Sequence, residues 1–243
     1  MAIFLRAQWR YLLMLNYAIA PDLLKPHLPR DVELDEWNAT TCVSMVGFRF
    51  LKTRVLGIPL PGHVNFDEVN LRFYVRRKTP AGWRRGVVFI REIVPRRLIA
   101  AVARVLYNEP YLALPMRHKL EIENGALRSN SRVEYEWRFR GEWNSLGATI
   151  TGTAQPLVEG SEEQFITEHF WGYTAMRHGA TQEYRVEHPS WNVWRAENAS
   201  FRCDVASLYG EPFAKALNAP PRSAFVAEGS AITVGTGNRL EPG

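Results

Sequence analysis

Between residues 65 and 75 the chain reads NFDEVNLRFYV, and this alternation restricts its fold more than any other stretch. Successive side chains of a β-strand point to opposite faces, so Val69, Leu71, Phe73 and Val75 make one apolar side, while Glu68, Asn70, Arg72 and Tyr74 make a polar one. Such a strand belongs in a sheet with one face on a core. The open matter is whether its polar row meets solvent or lines an enclosed site.

The same period recurs along the chain. WRYLLMLNYAI and TTCVSMVGFRFLKTRV read as strands before this segment, and GVVFIREIV reads as one after it, with Arg91 and Glu92 on opposite faces. HKLEIENGALRSNSRVEYEWRFR predicts strands turning at Asn124-Gly125. There Val133, Tyr135, Trp137 and Phe139 alternate with Arg132, Glu134, Glu136 and Arg138, a charged face expected to meet solvent. ATITGTAQPL, EYRVEHPSWNVWRAENASFRCDV and SAFVAEGSAITV are further strand-rich stretches.

The period changes in PRRLIAAVARVLYNEP, where Leu98, Ala101, Val102, Val105 and Leu106 recur at helical spacing between Pro95 and Pro110. SEEQFITEHFW begins as a helix capped by Ser161, SLYGEPFAKAL predicts another, and Pro21 to Lys25 a short helical turn. LGIPLPGHVNF and HFWGYTAMRHG read as loops. Many strands with few helices predict a mainly β, α+β fold: a closed or strongly curved antiparallel β-barrel with a few peripheral helices. No internal repeat or low-complexity linker interrupts the 243 residues, so one domain is expected over 1–243, with residues from about 236 to 243 lacking order.

Composition narrows the function classes. A hydrophobic content of 46% and a charged content of 23% are those of a chain that folds around a core. The 30 Lys+Arg against 25 Asp+Glu, net +5, suit an anionic partner, but the cations are scattered rather than gathered in a tract, which argues against nucleic acid. Lys25, Lys52, Lys78, Lys119 and Lys215 are the lysines, so amine chemistry has few seats. Cys42 and Cys203 form neither a disulfide framework nor a C-x-x-C pair, which predicts a reducing compartment. YLLMLNY is short and lacks a following cleavage site, and no run approaches the ~20 apolar residues of a membrane span, so a soluble, cytoplasmic protein is expected.

Glu68, Asn70 and Arg72 share a face, and Arg10 precedes the apolar YLLML. Turned inward, a carboxylate beside an arginine can hold a polar ligand or move a proton; turned outward, the row is a solvated face or a fixed ion pair. His63, His169, His178 and His188 show no H-E-x-x-H or His-x-His spacing, which predicts no metal and no cofactor. His169 and His188 can contact a ligand or serve as hydrogen-bonded structural histidines. Trp171, Tyr173, Tyr184, Trp191 and Trp194 concentrate aromatic side chains where they fill a core or close a barrel mouth.

LRAQWRYLLMLNY, NFDEVNLRFYVRR, GVVFIREIVPRRLIAAVARVLYNEPYLALPM and EYRVEHPSW together resemble the YqjF-like family of bacterial proteins, over most of the chain. That family is more distantly similar to acetoacetate decarboxylase, mainly over the first half, which implies a cone-shaped β-barrel around a buried site. The decarboxylase pattern of an arginine before the first strand, a glutamate opening a middle strand, and a helix with an Arg-containing end followed by Pro-Lys-Lys falls on Arg10, Glu68, Arg104 and Pro110. Tyr111 and Leu112 stand at the lysine pair, and Ser44 at a second acidic position. The decarboxylase needs an amine that can lose a proton, which neither Tyr111 nor Leu112 supplies. Lys119 lies on a different strand and Lys78 beside a Thr-Pro turn.

The resemblance therefore implies a pocket without Schiff-base chemistry. A first hypothesis is a small-molecule enzyme, a lyase, hydratase or isomerase of an oxygenated organic acid. In it Arg10 and Glu68 are catalytic, and Asn70, Arg72, Arg91, Tyr111 and His188 contact the ligand. A second is a non-catalytic binding or sensing protein that kept the pocket and lost the chemistry. A third, nucleic-acid binding, requires a continuous basic surface that the sequence lacks. The partner expected is thus a small organic acid, with homo-oligomerisation left open.

Overall fold

The computed structural model describes residues 2–123, 126–176 and 179–240; the predicted Asn124-Gly125 turn and His178 lie outside them. The chain opens with β1 (Ile3–Ala18), followed by two short 3-10 turns at Pro21–Leu23 and Lys25–His27 and by β2 (Glu33–Leu34). Next come β3 (Cys42–Val55), β4 (Phe66–Thr79), β5 (Gly82–Val94) and α1 (Arg97–Tyr107). After α1 run β6 (Tyr111–Ala113), β7 (Met116–Leu120), the small pair β8 (Ile122–Glu123) and β9 (Ala126–Leu127), β10 (Arg132–Phe139) and β11 (Glu142–Gln155). The remainder is α2 (Glu162–Thr167), β12 (Trp171–Ala175), β13 (Thr181–Glu187), β14 (Val193–Arg202), α3 (Val205–Tyr209), α4 (Glu211–Leu217), β15 (Ser223–Ala227), β16 (Ala231–Gly235) and β17 (Asn238–Leu240).

Among the described residues, one 15-stranded sheet carries the fold, and β1 closes it. Its first half pairs with β16, from Ile3↔Gly235 to Gln8↔Ala231, and its second half with β15, from Leu12↔Ala227 to Asn16↔Ser223. Strands β1, β3, β4, β5, β12, β13 and β16 thereby form a ring, while β15, β14, β11, β10 and β7 leave β1 as a second layer. The expected curved barrel is present. It is mixed rather than wholly antiparallel, because β12 and β6 both run parallel to β5.

Alternation along β4 decides what faces where. Val69, Leu71, Phe73 and Val75 are fully buried with Tyr135, Trp137 and Leu146 of the second layer, in the core between ring and layer. Burying each such side chain contributes about 1.5–3 kcal/mol, so a one-residue slip of β4, which would exchange its two faces, is strongly disfavoured. The opposite row of β4 faces the interior of the ring.

β-Bulges change this parity elsewhere, and two of them bear on the polar row. In β1 the register against β3 jumps between Arg10↔Arg49 and Leu13↔Gly47, with Tyr11 at φ 58°. Trp9 and Leu12 consequently share the inner face, and Arg10 points the other way. In β5 the register against β4 passes from Leu71↔Arg91 to Arg72↔Phe89, leaving Ile90 unpaired, so that Val87, Phe89 and Glu92 face inward. An extra residue in one strand reverses every later side chain, which unbroken alternation hides.

Helix α1 lies where its spacing predicts, but its buried residues are Ala100 and Tyr107, while Leu98, Val105 and Leu106 are exposed. Tyr107 anchors it, donating its hydroxyl to the Gly235 carbonyl at 3.1 Å with its ring edge-on to Phe4. Ser161 caps α2 as expected, accepting from the Gln164 amide. The stretch HFWGYTAMRHG, expected as a loop, contributes β12. The expected disordered tail is corrected at Asn238–Leu240, which pair with β13 through Thr181↔Leu240. The charged face of β10 is likewise not simply solvated: Glu136 is buried and held by Arg117 at 2.7 Å. Among the described residues no helix is long and apolar enough to cross a membrane.

Candidate functional site

The ring encloses a cavity of about 190 Å³, bounded by the inner faces of β1, β3, β4 and β5 and roofed by α1. Three carboxylates, Glu68, Glu92 and Glu109, line it together with Asn70, Arg72, Tyr111, His169, Tyr184 and His188. Glu68 is only 2% exposed. Asn70 donates to its Oε1 at 2.9 Å and the Tyr111 hydroxyl to its Oε2 at 3.0 Å. Burial pushes the Glu68 carboxyl up to about 7, against the opposing pull of those two hydrogen bonds and of the Arg72 charge.

Glu92 reaches the cavity through the β5 bulge. Burial holds its carboxyl well above the glutamate range, and the charges of Glu109 and Glu68 push the same way. Burial and the two acidic neighbours thus favour the protonated form, and its Oε2 has no hydrogen-bond partner within the protein. Glu109 precedes β6, accepting from Thr174 at 2.6 Å and Tyr184 at 2.9 Å. Its carboxyl is pushed up to about 7 by burial, with the Glu68 charge adding to the shift. Gly172 makes the Tyr184 contact possible: it stands opposite Tyr184 across β12 and β13, and a Cβ there would collide with the ring.

Arg72 brings the positive charge. It donates to the Ile166 carbonyl at 3.0 Å and leaves its Nε without a partner in the protein. Among the described residues it is the cavity's guanidinium, and no lysine lines the chamber. The His169 Nε2 faces Asp35 Oδ2 at 3.1 Å, and burial lowers the imidazole to about 4, so the ring is neutral and its unpartnered Nδ1 is an acceptor. His188 stacks on Trp191 at 4.0 Å, with burial lowering its pKa. Among the described residues no group of three or more His, Cys, Asp and Glu side chains is placed to hold a metal ion.

The structure thus brings together Glu68, Asn70, Arg72, Tyr111 and His188 of the sequence-predicted set. It does not bring in Arg10 or Arg91. The Arg10 guanidinium donates to the Gly229 carbonyl at 3.3 Å on the outer face, which corrects the expected Arg10–Glu68 pair. Arg91 is likewise absent from the cavity wall and lies near Tyr209 of α3, because the β5 bulge exchanges it for Glu92. Arg104 bonds the Ala100 carbonyl of its own helix, and Ser44 is buried against Asn16 and Tyr74 at 2.6 Å from each. Lys119 is exposed and paired with Glu134 and Glu136. Sequence reading missed Glu92, Glu109 and Tyr184. Glu92 had a signal, an acid within an apolar strand run, but alternation put it opposite Arg91 without saying which of the two faces inward.

The same architecture occurs in solved structures. The enduracididine biosynthesis enzyme MppR, complexed with the condensation product of pyruvate and imidazole 4-carboxaldehyde, aligns with a TM-score of 0.71 over 99% of this chain and 90% of that one, at 12% identity. An acetoacetate decarboxylase-like enzyme from Sphingomonas wittichii RW1 gives 0.68 over 99% and 94%, at 15% identity. Acetoacetate decarboxylase from Legionella pneumophila gives 0.66 over 99% and 88%, at 17% identity. At these identities the likeness is one of fold, which is the acetoacetate decarboxylase-like β fold. In sequence, the chain is 25% identical over 205 residues, 84% of its length and 79% of the relative's, to the uncharacterized protein YqjF of Bacillus subtilis (strain 168). A family model described as an uncharacterized conserved protein, DUF2071, matches residues 6–231, and the chain belongs to that family.

Proposed function

We propose that this protein is an acid–base enzyme acting on a small oxygenated organic acid, a lyase, hydratase or isomerase that works without a lysine Schiff base. One observation carries the reading: Glu68, poised near neutrality, touches Tyr111 and shares a lysine-free cavity with Arg72. A base is most effective when its pKa lies near the working pH, and closure from water strengthens its partners. The fold neighbours that hold pyruvate or its condensation product support the substrate class.

Arg72 pairs the substrate carboxylate with its free Nε. Glu68 takes a proton from the carbon beside the carbonyl, and the electron pair left behind becomes an enolate. The neutral Glu92 acid, with its open Oε2, donates to the enolate oxygen. Returning the proton to another carbon gives isomerisation; delivering it to a departing hydroxyl gives dehydration, with water leaving.

Nuclear magnetic resonance of 2-oxo acids in D₂O tests this. Exchange of the C3 protons in the presence of the wild-type protein is expected, and borohydride is expected to fix no ligand to any lysine. Arg72→Met is expected to weaken substrate binding by roughly ten- to a hundredfold, while Arg10→Ala and Arg91→Ala leave it unchanged. Saturable binding without exchange at any pH would instead make the chamber a binding or sensing site. A borohydride-fixed adduct would end the lysine-free mechanism.

A further inference from the structure

Resting on the reading of Glu68 and Arg72 as the acid-binding end, we infer that the substrate carries a short aliphatic tail beyond its polar head, so that bare pyruvate is too small for the chamber. The cavity changes character along β4. Its polar side chains occur at Arg72, Asn70 and Glu68, and the next inward residue towards the strand's start is Phe66, about 7 Å further along. The cross-strand partners follow the same gradient: Phe48 stands opposite Glu68, Phe50 opposite Phe66, and Trp9 opposite Phe50.

Beyond that level the wall is built from Leu5 and Val55, which pair with each other, from Leu60 of the following loop, and from Ile99 and Val102 of α1. Thr53, His63 and the unpartnered Trp9 Nε1–H are polar groups at this end. The aromatic rings there pack on one another, Phe50 stacking on Phe66 at 4.6 Å and meeting Trp9 edge-on at 5.8 Å, so they form a fixed apolar wall. Water in such a lining has few polar partners, and an apolar group that displaces it gains affinity.

Size agrees with this. At about 190 Å³ the space exceeds the roughly 150 Å³ that takes a six-atom benzene ring, and has room for up to about ten heavy atoms against the six of pyruvate. An acid of pyruvate's size occupies the polar end and leaves the Phe66 to Leu60 end empty. A linear or branched tail of a few carbons fills it.

Calorimetric titration of the full chain with pyruvate, 2-oxobutanoate, 2-oxopentanoate and 4-methyl-2-oxopentanoate tests the assignment. Affinity is expected to rise about fourfold with each methylene, and Leu98→Gln, a change at a half-exposed residue of α1 whose side chain also lines the cavity beside Ile99, is expected to flatten the series. A flat or falling series among acids that do bind overturns the tail and leaves the acid site standing. Absence of binding by every acid at millimolar concentration overturns both.

Discussion

Glu68→Gln is expected to reduce turnover by about 10²- to 10⁴-fold while the variant still folds and still binds the organic acid. The substitution keeps the shape and hydrogen-bonding capacity at the centre of the cavity: the amide oxygen can accept from Asn70 or Tyr111, which now meet it at 2.9 and 3.0 Å. It removes the one group that can both hold and release a proton near neutral pH in contact with Tyr111. Arg72 remains to bind the carboxylate, so the loss falls on kcat rather than on KM. Binding should even tighten above pH 7, because a negative charge that repels the anionic ligand has gone. Steady-state kinetics of both proteins, with direct titration of ligand, check this. Equal kcat values would remove Glu68 from the chemistry.

Stability is expected to fall as pH rises from about 4.5 to about 7. In the folded protein the Glu68 carboxyl holds its proton up to about 7, whereas the unfolded chain releases it near the ordinary 4.5. Between those values the folded state binds more protons than the unfolded state, so stability present at the lower pH is lost as pH rises through the folded pKa. Each pH unit costs roughly 1.4 kcal/mol per carboxyl, or about 3 kcal/mol for Glu68 across the window, and Glu109 contributes in the same direction. Acid works the other way on His169, whose imidazole burial holds at about 4 against an ordinary 6.5, so that it offsets about one of these carboxyls between those values. It also works the other way on Asp35 and Glu136. Burial alone would raise both, yet hydrogen bonds from His169 and Arg85 hold Asp35 below its usual range and those from Arg117 hold Glu136 below its own. Stability should therefore peak in mild acid. Urea unfolding from pH 4.5 to 8.5 should show this peak, and Glu68→Gln should flatten the alkaline limb by removing one raised carboxyl and relieving Glu109 and Glu92. An alkaline limb identical in wild type and variant would contradict the cause assigned.

The legibility of this site in the sequence followed the regularity of the strands. Along β4 no bulge intervenes, and the inward row Glu68, Asn70, Arg72 follows directly from alternation. Arg10, taken from the decarboxylase resemblance, and Arg91 were both misplaced beside a bulge. Each lies on the far side of a bulge from the residues that set the inner face, at Tyr11 in β1 and Ile90 in β5, and period-two counting has no term for an extra residue. A positive φ at a tyrosine carries no sequence signature of the kind that glycine gives. Glu109 and Tyr184 were hidden differently: one precedes a three-residue strand, and the other sits in a run of aromatics whose partners are long-range. The apolar stripe predicted for α1 is partly turned to solvent because Tyr107, counted as neither polar nor apolar by spacing, sets the helix's seat.

The central claim is that one carboxyl, closed off from water and from any amine, changes charge near neutral pH. Carbon-13 resonance of protein labelled at the glutamate carboxyls, titrated from pH 4 to 9 and assigned with Glu68→Gln, tests it most directly. The account predicts a Glu68 signal with its midpoint near 7, absent from the variant. A Glu68 midpoint at the ordinary glutamate value near 4.5 would contradict it.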